Sequence, residues 1–231
     1  MTPEQFAQLL RSLHETKTTE IITSAILILT FLIAIGSLLY ARYQFLAARE
    51  TMLGDQRRSQ RQLAMEMCIK WSEFTSPETS SVTRLIERLT QDQCDAIANS
   101  TQLIISVQYE LHLINILQFR FRDIESVLKT IKKDTVFELD GKYVIYIRHI
   151  AVRYLNMLES ILLAWSMGIA DGDIIEKEFS YLFNESQRRT AMENLRKQLG
   201  MDGFPGINQF MMTLRSRIMG GDDLVRRKPI V

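Results

Sequence analysis

Ile21 to Ala41 reads IITSAILILTFLIAIGSLLYA, a run of 21 residues without a charged side chain, set between Glu20 and Arg42. As a helix it spans roughly 32 Å, the thickness of a bilayer's hydrocarbon core. Twelve of its residues are Leu, Ile or Phe, which together favour insertion by about 4 to 7 kcal/mol. The hydroxyls of Thr23, Ser24, Thr30 and Ser37 can return to the helix's own carbonyls, so they do not oppose this. The competing reading is a buried helix of a soluble core, but 231 residues of mostly polar sequence give little with which to enclose it.

The flanks assign a direction. Arg11 and Lys17 precede the segment, whereas Arg42, Arg49, Arg57, Arg58 and Arg61 come closely after it, and cytoplasmic flanks carry the positive excess. The expectation is a single-pass membrane protein with its N-terminus outside and its bulk in the cytoplasm. A cleaved signal peptide fits poorly, because the apolar run is too long and its n-region is acidic. Residues 1–20 form an extracytoplasmic leader in which Phe6, Leu9, Leu10 and Leu13 sit at helical spacing. It reads either as a helix on the outer membrane surface or as a frayed start. Within the membrane segment Thr23, Thr30, Ala34, Ser37 and Ala41 fall on one stripe of the wheel, and small residues let helices approach closely in lipid. The stripe marks a self-association face, or the ordinary abundance of small residues in membrane helices.

Residues 42–62 continue as a basic helical stalk, with Gly54 to Gln62 polar all round and so solvated. Leu63, Met67, Trp71 and Phe74 begin the cytoplasmic domain, residues 63–221. Thr75-Ser76-Pro77-Glu78 breaks and restarts the helix, with Ser76 as cap and Pro77 at the first position. Leu103 to Ile131 reads as a long apolar-periodic helical region. Glu110 and His112 at its centre make it a buried helix, with entry of 103–119 into the membrane the alternative. Asp140-Gly141 signals a turn. From Val144 through Ile147, Ala151, Tyr154, Leu158 and Ile161 to Trp165 the spacing is helical despite the strand-like Tyr143 to Ile147. That helix stops at Gly168, Asp171 caps the next, a further helix covers about Glu185 to Leu199, and a last one Ile207 to Met219. Residues 222–231 read as a disordered basic tail. The fold expected is all-α: one N-terminal transmembrane helix continuing into a stalk, then a bundle of about six helices.

Searching for chemistry returns no GxSxG, Walker A or GxGxxG pattern. Glu110 and His112 lie two apart, on different sides of a helix, and Asp171 and Asp173 lack the rest of a calcium loop. Cys68 and Cys94 make neither a disulfide framework nor a zinc site. Hence no enzyme, cofactor, metal or small-molecule substrate is expected. Asn156 and Glu159 share a face of an apolar helix, as a buried polar pair or as its wet side. A net charge of +1 argues against nucleic-acid binding by the whole chain. The C-terminal end is nevertheless basic, and Arg188, Arg189, Arg196, Lys197, Arg226, Arg227 and Lys228 could meet nucleic-acid phosphates or anionic lipid, against the plainer reading of a solvated surface.

The stretch Tyr154-Leu155-Asn156-Met157-Leu158-Glu159-Ser160-Ile161, together with Gly168-Ile169 and Asp173-Ile174-Ile175, resembles a bacterial helical domain of unknown function found behind a single membrane helix. There a Leu-Asn-x-x-Glu helix ends in a Gly-Ile turn, and an acidic helix start comes next; the break at Ser76-Pro77-Glu78 also fits. Proteins of this sort are similar to membrane effectors of antiphage systems, including retrons. The resemblance implies abortive infection through damage to the inner membrane, under control of a reverse transcriptase and its RNA–DNA product. The other function left open is a non-toxic membrane-tethered scaffold or protein-binding module.

Overall fold

The computed structural model describes residues 3–184 and 190–219. The tail 222–231, with Arg226, Arg227 and Lys228, and the segment holding Arg188 and Arg189 lie outside the described residues. The chain is mostly helical and divides into two units, residues 1–56 and 57–231. Helix α1, Pro3–Phe74, contributes to both.

The first unit is helix throughout its described length. From Ile26 to Leu53 every side chain is exposed, among them Leu27, Phe31, Leu38 and Phe45. Polar groups do not interrupt it. Thr30 donates to the carbonyls of Ile26 and Leu27, Ser37 to Ile33 at 2.8 Å and Thr51 to Ala47 at 3.0 Å, so each hydroxyl is satisfied inside the helix. Among the described residues this is the one helix long and apolar enough to cross a membrane, and it lies near the N-terminus.

In the second unit the chain runs through α2 (Pro77–Ile86), α3 (Gln91–Ala98), β1 (Leu103–Ser106), α4 (Glu110–Leu117), α5 (Ile124–Ile131), β2 (Lys132–Lys133) and β3 (Val136–Leu139). It continues into α6 (Gly141–Ser166), α7 (Gly172–Phe179), α8 (Glu193–Leu199) and α9 (Pro205–Met219). The long α6 is the hub. Tyr143, Val144, Ile147, Ile150, Ala151, Tyr154, Leu155, Leu158, Ile161 and Leu162 are buried along it at helical spacing, a band wide enough to take neighbours on several sides. Helices α2, α3, α4, α7 and α9 all lean on it.

Local chemistry sets the ends of these elements. Ser76 accepts from the Thr79 amide at 3.2 Å while Thr79 Oγ1 accepts from the Ser76 amide at 2.8 Å, a reciprocal cap with Pro77 at the first helical position. Asp171 Oδ1 accepts from the amides of Asp173 and Ile174 at 3.1 and 3.3 Å and so starts α7. Gly168, at φ +67°, closes α6 in the left-handed region that glycine adopts without cost.

Three expectations need correction. Leu103 to Ile131 is not one helical region: Leu103–Ser106 is a strand, and a three-stranded antiparallel sheet of order β1-β3-β2 joins it to residues 132–139. Pairing Leu103 with Leu139 and Ile105 with Phe137 buries all four side chains and leaves Ile104 outside, the period-two logic of a half-buried strand. The remainder breaks at Gln118 to Asp123 into two helices of 8 residues each, too short to cross a bilayer. Asp140-Gly141 is the start of α6 rather than a turn. The connector Gly54 to Gln62 is not solvated to its end either, since Gln60 donates to the Gly168 carbonyl at 2.7 Å and accepts from the Asp171 amide at 3.1 Å, with Arg61 beside the Asp171 carboxylate at 3.3 Å.

Asn156 and Glu159 do not pair. Asn156 is exposed, whereas the Glu159 carboxylate reaches α9 and accepts from the amides of Gly206 at 2.7 Å and Ile207 at 2.9 Å. It thereby supplies both the acceptors and the negative charge that a helix N-terminus lacks. A Cβ on Gly206 would come within 2.6 Å of the Leu163 amide nitrogen and 2.9 Å of the Leu162 carbonyl carbon. Gly206→Ala is therefore expected to cost about 2 kcal/mol or more, and Glu159→Ala about 2 kcal/mol. Urea unfolding of the full chain checks both, and the double variant should lose less than the sum because the two act on one joint.

Candidate functional site

A cleft of about 790 Å³ opens in the second unit. The end of α1 contributes Trp71 and Thr75, α2 contributes Ser80, Thr83 and Arg84, and the turn after α2 contributes Glu87 and Arg88. Gln108 and Tyr109 precede α4, Tyr154 comes from α6, and Tyr181, Leu182 and Ala191 complete the lining. Segments far apart in sequence thus meet around it.

The aromatic wall is fixed by packing. Trp71 meets Tyr154 edge-on at 4.9 Å and Phe179 at 5.2 Å between ring centroids, the arrangement that the ring quadrupoles favour. Trp71 and Tyr154 are buried, Tyr109 is half-buried and Tyr181 is 45% exposed.

Glu87, also in the lining, anchors residues 190–192. Its Oε1 accepts from the amides of Thr190 at 3.1 Å and Met192 at 2.6 Å, and its Oε2 from the Thr190 hydroxyl at 2.7 Å. These bonds hold Ala191 and Met192 at φ +45° and +57°, a left-handed pair costing about 1 kcal/mol or more each. Burial pushes the Glu87 carboxyl above the ordinary carboxylate range, and the bonds from Met192 and Thr190 and the charge of Arg196 offset this only in part.

Arg84 and Arg88 lie four positions apart, both exposed, and among the described residues neither side chain makes a hydrogen bond or ion pair. His112 of α4 stands within reach of their charges and is held neutral. Burial lowers its pKa, and the charges of Arg88 and then Arg84 lower it further. Its Nε2 is buried without a partner.

Of the basic residues singled out in the sequence, Arg196 and Lys197 lie among the described ones, and they differ in placement. Arg196 is wholly buried. Its Nε donates to the Ala191 carbonyl at 3.0 Å, and its terminal nitrogens to Asn208 Oδ1 and the Thr190 carbonyl. It ties α8 to α9 and is unavailable to phosphate or lipid. Lys197 is partly exposed and pairs with Glu193 at 2.9 Å, one turn back. In the first unit Thr23, Thr30, Ala34, Ser37 and Ala41 are all exposed on α1. The cleft itself has no sequence signature, because Arg84 and Arg88, spaced at four, look like any solvated helix face until residues 71, 109 and 181 are brought beside them.

Protonating His112 puts a charge on a buried, unpartnered nitrogen beside two guanidinium groups. With its folded pKa below the ordinary 6.5, the stability gained by keeping it neutral is complete above that value and is lost as pH falls through and below it. Urea unfolding between pH 7.5 and pH 5 should show this decline, and His112→Asn should flatten it. Glu87→Ala, by freeing the amides of a strained corner, should cost about 3 kcal/mol in the same assay. No protein-family model, no curated protein and no solved structure matches the chain.

Proposed function

We propose that the chain is a single-pass inner-membrane effector, with its N-terminus outside and the second unit in the cytoplasm, that impairs the membrane when a regulator releases it. The observation that carries the reading is the uncharged, exposed run of α1, in which the hydroxyls of Thr30 and Ser37 are returned to their own helix. In water such a surface would be costly, while in lipid it is at rest. The arginines beyond this run favour the cytoplasmic side for the second unit.

Damage arises through association of membrane helices along Thr23, Thr30, Ala34, Ser37 and Ala41, where small side chains permit close approach. The resemblance to antiphage effectors supplies the biological setting, and a reverse transcriptase with its RNA–DNA product is the regulator that it implies. A non-toxic tether shares the same address and differs in outcome.

Induced expression of the chain alone, monitored with a potential-sensitive dye, should depolarise the inner membrane within minutes. Ala34→Leu with Ser37→Leu should remove the depolarisation while the protein stays in the membrane fraction. Healthy, polarised cells with the wild-type chain inserted would favour the tether. Reporter fusions at either end test the orientation, and a C-terminal reporter active only in the periplasm would overturn it.

A further inference from the structure

We infer that the cleft of the second unit binds a nucleotide-sized ligand that joins a phosphate to a flat ring. The inference is independent of how the membrane helix acts. At about 790 Å³ the cleft has the size of a small-molecule site. Its lining carries both kinds of group that such a ligand requires. Arg84 and Arg88 are four positions apart, their side chains without a partner among the described residues, and two guanidinium groups lining one cleft can grip one phosphate through charge-assisted bonds.

The Ser80 hydroxyl lies on the same helix as Arg84 and adds a donor to the lining, whereas that of Thr83 is donated to the Thr79 carbonyl at 2.9 Å. Tyr109 and Tyr181 offer aromatic surface on which a base can stack, and Trp71 belongs to the same lining. Glu87, the acidic residue of the lining, does not oppose the anion as a free charge would, because both its oxygens are occupied by Thr190 and Met192. His112, whose Nε2 has no partner, is held neutral beside the two arginines and so supplies no competing counter-charge.

The test uses the full chain in detergent micelles with each of the four ribonucleoside 5′-monophosphates, the matching nucleosides and inorganic phosphate. At least one nucleotide should raise the unfolding temperature and change tryptophan fluorescence through Trp71, with Trp71→Phe abolishing the optical signal. The matching nucleoside and inorganic phosphate should each bind about tenfold more weakly or less, since each retains one half of the contacts. Arg84→Gln and Arg88→Gln should each weaken nucleotide binding about tenfold while leaving the unfolding temperature of the free protein unchanged. The inference is overturned if none of the four nucleotides binds, if both arginine variants bind as the wild type does, or if inorganic phosphate binds as tightly as the best nucleotide. Depolarisation by the membrane helix enters none of these readouts, so failure here and failure of the effector reading are separate results.

Discussion

The second unit depends on the need of α6 to be covered along most of its length. A helix of 26 residues with buried side chains from Tyr143 to Ala164 is stable in water only when several partners enclose it. Burial of each large side chain contributes about 1.5 to 3 kcal/mol, and ordering the chain consumes most of that gain. The partners come from both sides of α6 in sequence: α2, α3 and α4 before it, α7 and α9 after it. The last turns of α1 join the same core through Ala64 and Trp71.

Apolar burial does not fix where the later chain is placed on this core; two carboxylates do. Glu159 takes the first amides of α9, and Glu87 takes the amides of Thr190 and Met192. Both bonds reach across long separations in sequence and satisfy backbone donors that would otherwise be buried unpaired, so each specifies a position as well as contributing energy. Arg196 completes the arrangement. Its guanidinium spans the carbonyls of Thr190 and Ala191 and the side chain of Asn208, so the corner held by Glu87 and the helix held by Glu159 are joined by one buried cation.

Features decided by local chemistry are legible in the sequence. The Ser76 and Asp171 caps, the stop at Gly168 and the span of α6 each rest on residues within a few positions of one another, and they stand where the pattern places them. Leu103 to Ser106 reads wrongly because four apolar or small residues fit a helix face and a strand equally, and the choice falls to Val136–Leu139, about 30 residues away. Arg196 reads wrongly for a related reason. Next to Lys197 it looks like part of a charged surface, and only the return of α9 puts Asn208 where the guanidinium needs an acceptor.

The cleft shows the same limit from the functional side. A helix carrying arginines at positions four apart is common and says nothing by itself. What distinguishes Arg84 and Arg88 is that packing removes their alternatives: α4 sets the ring of His112 near them instead of a carboxylate, and the acid of the lining, Glu87, is committed to backbone amides. A positive pair without a carboxylate partner beside aromatic surface suits a ligand that supplies both an anion and a ring. The inferred site is therefore a relation between residues 71, 84, 109 and 181 that exists only once α6 has gathered its neighbours.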